Sequence, residues 1–215
     1  MSECCENQSF DGVSPAYKRA LVAVIIINAV MFGVEFSAGY LSGSQALKAD
    51  ALDFAADAAT YAISLAVIGS ALIVRARAAL LKGLSLSVMA IFVLASTALS
   101  FSDGTPPEAA TMGWIGFLAL AANLFSVFIL LRWRDGDSNV RSVWLCSRND
   151  AIGNIGVITA GGLVAVTQSS IPDLVVAAIL AGLFFRSSFS IIRQAMDESG
   201  GWRNALGFAA IGADK

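Results

Sequence analysis

Six long apolar stretches run through this sequence, and they constrain its fold more than any other feature. A helix that crosses a bilayer needs about 20 mainly apolar residues. The stretches that meet this requirement are residues 20–40, 46–74, 79–101, 111–131, 143–167 and 171–192. Charged residues make up only 14% of the chain, whereas about a quarter is usual in a soluble domain. We therefore predict an all-α membrane protein with six transmembrane helices.

Short polar segments between the stretches predict the loops. These segments are residues 41–45, 75–77, 102–108, 132–141 and 168–170. The first stretch carries Glu35, lacks a small-residue cleavage pattern and is followed by five further stretches, so we expect a permanent helix and not a signal peptide. The predicted organisation is an N-terminal tail (1–19), a transmembrane domain (20–193) and a short C-terminal tail (194–215).

The basic residues predict the orientation in the membrane. Of the 14 Lys and Arg residues, 13 fall on one side of the predicted topology, and only Lys48 falls on the other. Cytoplasmic loops carry an excess of Lys and Arg, so we expect both termini to be cytoplasmic. The net charge of −2 and the lack of a basic stripe predict no nucleic-acid partner.

Several ionisable side chains interrupt the apolar stretches. Each such group in lipid costs at least about 2.5–3.5 kcal/mol, so it usually faces a cavity or a partner. Asp53 and Asp57 are four residues apart and share one face of the second helix. The ionisable and amide residues that stand out are Glu35 in stretch one, Asp50, Asp53 and Asp57 in stretch two, Asn123 in stretch four, and Asn149, Asp150 and Asn154 in stretch five.

The carboxylates of stretches two and five are predicted to lie at a similar depth in the membrane. At about 1.5 Å per residue, Asp57 lies roughly 17 Å from the outer end of its helix. If the fifth helix starts near Asn139, Asp150 lies roughly 17 Å from its inner end. The two helices are antiparallel, so these aspartates reach a similar depth in a core about 30 Å thick. Carboxylates that meet in mid-membrane repel one another unless a cation or protons neutralise them. Two pairs of ligands at i,i+4 spacing, such as Asp53 with Asp57 and Cys146 with Asp150, can surround a metal such as zinc.

Other interpretations of these residues stay open. A single membrane aspartate often has a structural role. Cys146 can be a small packing residue, Asn154 can be an interhelical hydrogen-bonding residue, and Asp50 can be a solvated residue near the mouth of the helix.

The two polar motifs resemble those of the cation diffusion facilitator family. The segment from Glu35 to Asp57 is similar to the family signature of spans one and two, and the segment from Ser147 to Val157 is similar to that of span five. The resemblance implies a divalent-metal transporter with a transport site of Asp53, Asp57 and Asp150. It also resembles short bacterial members of the family, which implies a multi-pass protein of the bacterial inner membrane.

The sequence departs from the family pattern in two ways. The fourth ligand is usually histidine, but this chain has no histidine, and Cys146 occupies that position. The fourth ligand is therefore open among the Cys146 thiolate, Asn154, Asn149 and water. A thiolate favours Zn²⁺ and Cd²⁺, whereas oxygen ligands favour Mn²⁺, Co²⁺ or Fe²⁺. The tail of residues 194–215 is too short for the family's cytoplasmic C-terminal domain, so we expect any homodimer to depend on the membrane helices.

The resemblance implies exchange of metal for protons by alternating access, with the metal as substrate and no cofactor. Glu35 and Asp50 then belong to an access pathway for protons or cations. An intramembrane aspartyl protease is one alternative, but its Tyr-Asp and Gly-x-Gly-Asp motifs do not occur around Asp57 or Asp150. A proton-coupled exporter of organic cations is another. It would use a lone carboxylate in an aromatic cavity, and only 9% of the residues are aromatic.

Overall fold

The computed structural model describes residues 14–66, 72–134 and 138–199. Within these ranges, the side chains of residues 72–76, 78–79, 138–146, 148–149, 194 and 197–199 lie outside the description. The described part of the chain is helical, with short links. Its elements are α1 (Pro15–Ser42), α2 (Gln45–Ala66), α3 (Leu72–Asp103), α4 (Ala109–Leu130), a 3₁₀ turn (Leu131–Trp133), α5 (Ser138–Thr167) and α6 (Ile171–Ser199).

Five of these helices are long and apolar enough to cross a membrane: α1, α3, α4, α5 and α6. The remaining helix, α2, has 22 residues but contains Lys48 and three aspartates. Large side chains such as Ile26, Phe92 and Phe117 are exposed on the helix surfaces, as expected for contact with lipid. The prediction of an all-α membrane protein with six helices is confirmed, and α2 is the helix whose charges must be covered by its neighbours.

Several predicted boundaries were wrong. The predicted loop at 75–77 lies inside α3, and the predicted stretch 46–74 divides into α2 up to Ala66 and the start of α3 at Leu72. The Arg-Ala-rich segment has high helix propensity and no Gly or Pro to end a helix. Residues 138–141 likewise belong to α5 and not to a loop, and α6 continues beyond 192 to Ser199.

The chain turns sharply between α1 and α2. Gly43 has a φ of 77°, a left-handed conformation that favours glycine, and only Gly43 and Ser44 separate the two helices. Near this turn, the Cα of Gly39 approaches α2 so closely that an added Cβ would lie 3.0 Å from the Lys48 backbone nitrogen. The turn therefore forces α1 and α2 into a tight antiparallel hairpin.

The bundle has α2 at its centre, since α2 contacts all five other helices. The α3 helix packs mainly against α6, whereas α4 packs mainly against α5. Three short links, 43–44, 104–108 and 168–170, lie at the end of the bundle where α2 begins. We call this the short-loop end, and the opposite end, where α1 begins and α6 ends, the terminal end.

Candidate metal site within the helix bundle

A polar layer crosses the bundle between two apolar layers. Toward the short-loop end, α2 contributes Ala46, Leu47 and Ala49 to a core that also includes α3, α4, α5 and α6. Toward the terminal end, Tyr61 packs with Tyr17, Leu21, Val24 and Leu130. The segment of α2 between these cores carries Asp53 and Asp57.

The structure brings together the three aspartates that the sequence predicted as ligands. Asp150 of α5 shares side-chain hydrogen bonds with both Asp53 and Asp57 of α2. Asp57 is 8% exposed, while Asp53 and Asp150 are partly exposed. An ionised carboxylate is only an acceptor, so each carboxyl–carboxyl hydrogen bond requires a proton on one of its two members.

Two further side chains act on this aspartate cluster. The hydroxyl of Tyr61, one turn after Asp57, donates a hydrogen bond to Asp57 Oδ2. Lys82 of α3 interacts electrostatically with Asp57, and its Nζ donates to Ser64 Oγ at 3.3 Å. The side of the cluster that faces the terminal end is therefore lined by a phenol, a hydroxyl and a cation.

The packing of α4 on α5 sets the level of a further polar residue. Gly116 lies against Val157 and Ile158. Asn123, two turns along α4 from Gly116, is therefore level with Asp150, two turns from Val157 in the antiparallel helix. Asn123 is 2% exposed. Asn123, the polar residue that stands out in the fourth apolar stretch, thus lies in the same layer of the bundle as Asp150.

The carboxyl groups of the cluster are joined by hydrogen bonds through Asp150. No group of three or more His, Cys, Asp or Glu side chains suited to hold a metal ion occurs among the residues that the structure describes. Cys146 lies in α5, one turn before Asp150, but its side chain and that of Asn149 lie outside the described residues. Both remain predictions as ligands.

Beside the aspartate cluster, Glu35 and Asp50 form an acidic pair. Their carboxyl groups are direct neighbours, and Glu35 is 0% exposed and Asp50 1% exposed. Both carboxyl oxygens of Glu35, and Oδ2 of Asp50, have no hydrogen-bond partner of normal geometry among the described residues. This acidic pair is thus sealed, whereas the aspartate cluster is partly accessible.

Asn154 occupies the same face of α5 as Asp150, one turn closer to the short-loop end. Its side chain is 0% exposed, and neither its Oδ1 nor its Nδ2 has a hydrogen-bond partner in the described part of the chain. Asp150 is level with Asp53 and Asp57, and α2 and α5 are antiparallel, so Asn154 is level with Asp50. Asn154 therefore lies at the level of the acidic pair, one turn beyond the cluster.

One buried carboxylate was not predicted from the sequence. Asp173, in the first turn of α6, is 1% exposed. It accepts hydrogen bonds from Ser44 Oγ at 2.6 Å, from Gln45 N at 2.8 Å and from Ala46 N at 3.0 Å. It therefore caps the N-terminus of α2 from a neighbouring helix. Its contacts, 127 to 129 residues apart in sequence, leave no local sequence signal.

Tyr61 and Lys82 were also missed. Tyr61 stands four residues after Asp57, the same spacing that identified Asp53, so the sequence did carry a signal for it. Lys82 falls in the predicted stretch 79–101 and lies inside α3, but it was counted only toward the orientation in the membrane. Its approach to Asp57 depends on how α3 packs against α2, which the sequence does not reveal.

Comparison with known proteins identifies the domain. A family model for the cation efflux transmembrane domain matches residues 75–198, which is more than half of the chain. The matched segment includes α5, and so one side of the aspartate cluster.

Curated relatives resemble a larger part of the chain. A protein named zinc transporter ZitB from Pectobacterium atrosepticum is 26% identical over 193 residues, which cover 84% of this chain and 60% of the relative. A protein named cadmium, cobalt and zinc/H(+)-K(+) antiporter from Bacillus velezensis is 27% identical over 195 residues, 83% of this chain and 61% of the relative. The ZitB of Escherichia coli strain K12 is 25% identical over 193 residues, 84% of this chain and 62% of the relative. The chain thus spans about 60% of the length of these relatives.

Proposed function

The chain belongs to the cation efflux family, and we propose that it exports divalent metal ions, with Zn²⁺ and Cd²⁺ preferred, in exchange for protons. The membership confirms the predicted resemblance to this family of multi-pass membrane proteins. The observation that carries the proposal is the meeting of Asp53, Asp57 and Asp150 between two apolar layers of the bundle. Carboxylates at that depth need a cation or protons to neutralise them.

The names of the relatives support the choice of substrates. Zinc appears in both names, and cadmium and cobalt appear in the name of the Bacillus relative. Carboxylate ligands alone also accept Mn²⁺, Co²⁺ and Fe²⁺. We propose Cys146 as the fourth ligand, because it lies one turn from Asp150 in α5 and a thiolate shifts the preference toward Zn²⁺ and Cd²⁺.

The hydrogen bonds within the cluster support protons as the counter-ion. A cation that binds Asp53, Asp57 and Asp150 displaces the protons of the carboxyl–carboxyl hydrogen bonds, because metal ligands must be deprotonated. When the cation leaves, protons restore these bonds. Tyr61 holds Asp57 in place by its hydrogen bond, and Lys82 offers a positive charge near the same carboxylate.

The sequence supports the setting of this exchange. The distribution of Lys and Arg favours a cytoplasmic location for both termini, so the short-loop end would face the periplasm. The bacterial relatives support the bacterial inner membrane as the location. We propose a homodimer in lipid as the working unit.

The direct test is metal flux in proteoliposomes that contain the purified protein. An acidic interior should drive uptake of Zn²⁺ or Cd²⁺, and a K⁺ gradient in its place should drive little uptake. Asp57→Asn and Asp150→Asn should each lower the flux by at least about 10-fold to 100-fold, the range for disturbed metal sites. Asp103→Asn removes an exposed carboxylate and serves as the matched control. Full flux in both site variants would exclude the site.

A second measurement tests the proposed fourth ligand. Cys146→Ser should reduce the ratio of Cd²⁺ flux to Mn²⁺ flux, since a hydroxyl is a poorer ligand for soft ions. Replacement of Cys4 and Cys5 by serine provides the matched loss of thiols elsewhere in the chain. An unchanged ratio of Cd²⁺ flux to Mn²⁺ flux in Cys146→Ser would mean that Cys146 is not the fourth ligand.

A further inference from the structure

Three buried side chains next to the aspartate cluster have polar atoms without a hydrogen-bond partner of normal geometry in the part of the chain that the structure describes. They are Glu35 of α1, Asp50 of α2 and Asn154 of α5, each no more than 1% exposed. Glu35 and Asp50 pair with each other, but both carboxyl oxygens of Glu35, Oδ2 of Asp50 and both amide atoms of Asn154 have no hydrogen-bond partner of normal geometry among the described residues. Buried polar atoms are nearly always hydrogen-bonded in native proteins, so a concentration of such atoms in one region points to a ligand.

The position of these residues is continuous with the cluster. Asp50 precedes Asp53 by three residues, about 4.5 Å along the helix axis, and both Glu35 and Asp50 interact electrostatically with Asp53. Asn154 follows Asp150 by one turn on the same face of α5. All three residues therefore lie on the side of the cluster that faces the short-loop end.

The chemistry of the three side chains suits a cation. Two carboxylates and an amide carbonyl are oxygen donors, and hard or borderline divalent ions accept such ligands. An anion would be repelled by Glu35 and Asp50, and a neutral apolar ligand would leave their oxygens without partners.

We propose that Glu35, Asp50 and Asn154 form a second divalent-cation site, which receives the cation after the cluster of Asp53, Asp57 and Asp150. Binding at this second site rests on the pairing of Glu35 with Asp50, on the matching level of Asn154 in α5 and on the burial of all three residues. The order of occupation, from the cluster toward the short-loop end, rests on the proposed function.

The main alternative is a carboxyl pair that shares a proton and only stabilises the packing of α1 on α2. In that case the cation stoichiometry would not depend on Glu35 or Asp50. Glutamine at position 35 and asparagine at position 50 have nearly the same shapes as the acids and can replace such a hydrogen bond. The two possibilities are therefore separated by counting bound ions.

The experiment is equilibrium dialysis of the purified full-length protein with radioactive Cd²⁺. We expect two ions per chain in the wild type, one in the Asp57→Asn/Asp150→Asn variant and one in the Glu35→Gln/Asp50→Asn variant. Asp103→Asn should retain both ions. Glu35→Asp keeps the carboxyl group and should retain more of the second binding step than Glu35→Gln.

A single-site variant keeps the test informative if the double variant does not fold. Asn154→Ala should weaken the second binding step by about 10-fold or more, the lower limit for disturbed metal sites. One ion per chain in the wild type would overturn the second site, as would two ions in a folded Glu35→Gln/Asp50→Asn variant. Two bound ions without any metal flux would instead contradict the proposed transport and leave the second site standing.

Discussion

Two sets of buried carboxylates near the same end of the bundle differ in how their oxygens are satisfied. Asp173 of α6 accepts three hydrogen bonds from the start of α2. Glu35 and Asp50 are equally buried, yet three of their four oxygens have no partner of normal geometry in the described residues. Burial alone therefore does not identify a functional carboxylate in a membrane. Between these two sets, hydrogen bonds from the N–H groups of a helix end mark the structural carboxylate, and oxygens without such donors mark the candidate ligands.

The contrast has an origin in helix geometry. The first turn of a helix presents N–H groups without intrahelical partners, and Asp173 lies where it can accept from two of them. Glu35 and Asp50 lie inside α1 and α2, where the backbone groups already bond one another. A carboxylate in a helix interior must find its partner in another side chain or in a bound ion.

The largest expected effect on stability is at Asp173. Asp173→Ala removes all three hydrogen bonds and leaves the N–H groups of Gln45 and Ala46 buried without partners, so the free energy of unfolding should fall by about 2–4 kcal/mol. The measurement is unfolding in mixed micelles by titration with SDS. Asp103→Asn, an exposed change at the same end, should leave this free energy unchanged. If Asp173→Ala changed the free energy of unfolding as little as Asp103→Asn, the contrast between Asp173 and the acidic pair of Glu35 and Asp50 would not hold.

An intermediate effect is expected at Ser44. Its Oγ donates to Asp173 and accepts from the N–H of Leu47 at 3.0 Å, so it is a second cap of α2. Ser44→Ala should lower the free energy of unfolding by about 1 kcal/mol. In the Asp173→Ala background the same change should have a smaller effect, because the two residues share a hydrogen bond. Full additivity in the double variant would contradict a joint cap.

How much of this contrast the sequence could predict depends on how far apart in the sequence the contacting residues lie. The six helices were predictable because a bilayer demands long apolar stretches, even for α2 with its three aspartates. Asp53, Asp57 and Asp150 were predictable because helical spacing fixes their faces and antiparallel topology fixes their depth. The cap by Asp173 and the approach of Lys82 were not, since both depend on the rotation and offset of helices distant in sequence. The loop at 75–77 was wrong because charged residues suggested an end where helix propensity continued α3.

The smallest expected effect on stability is at Glu35. Glu35→Gln removes a buried carboxyl group that has no hydrogen bond of normal geometry to the described residues, so the free energy of unfolding should stay the same or rise by up to about 1 kcal/mol. The SDS titration used for Asp173→Ala measures this change as well. A loss as large as that of Asp173→Ala would mean that Glu35 has a structural partner and would assign it the same kind of role. A stable variant that has lost its second bound cation would place Glu35 among the residues that a membrane protein keeps for function at some expense of stability.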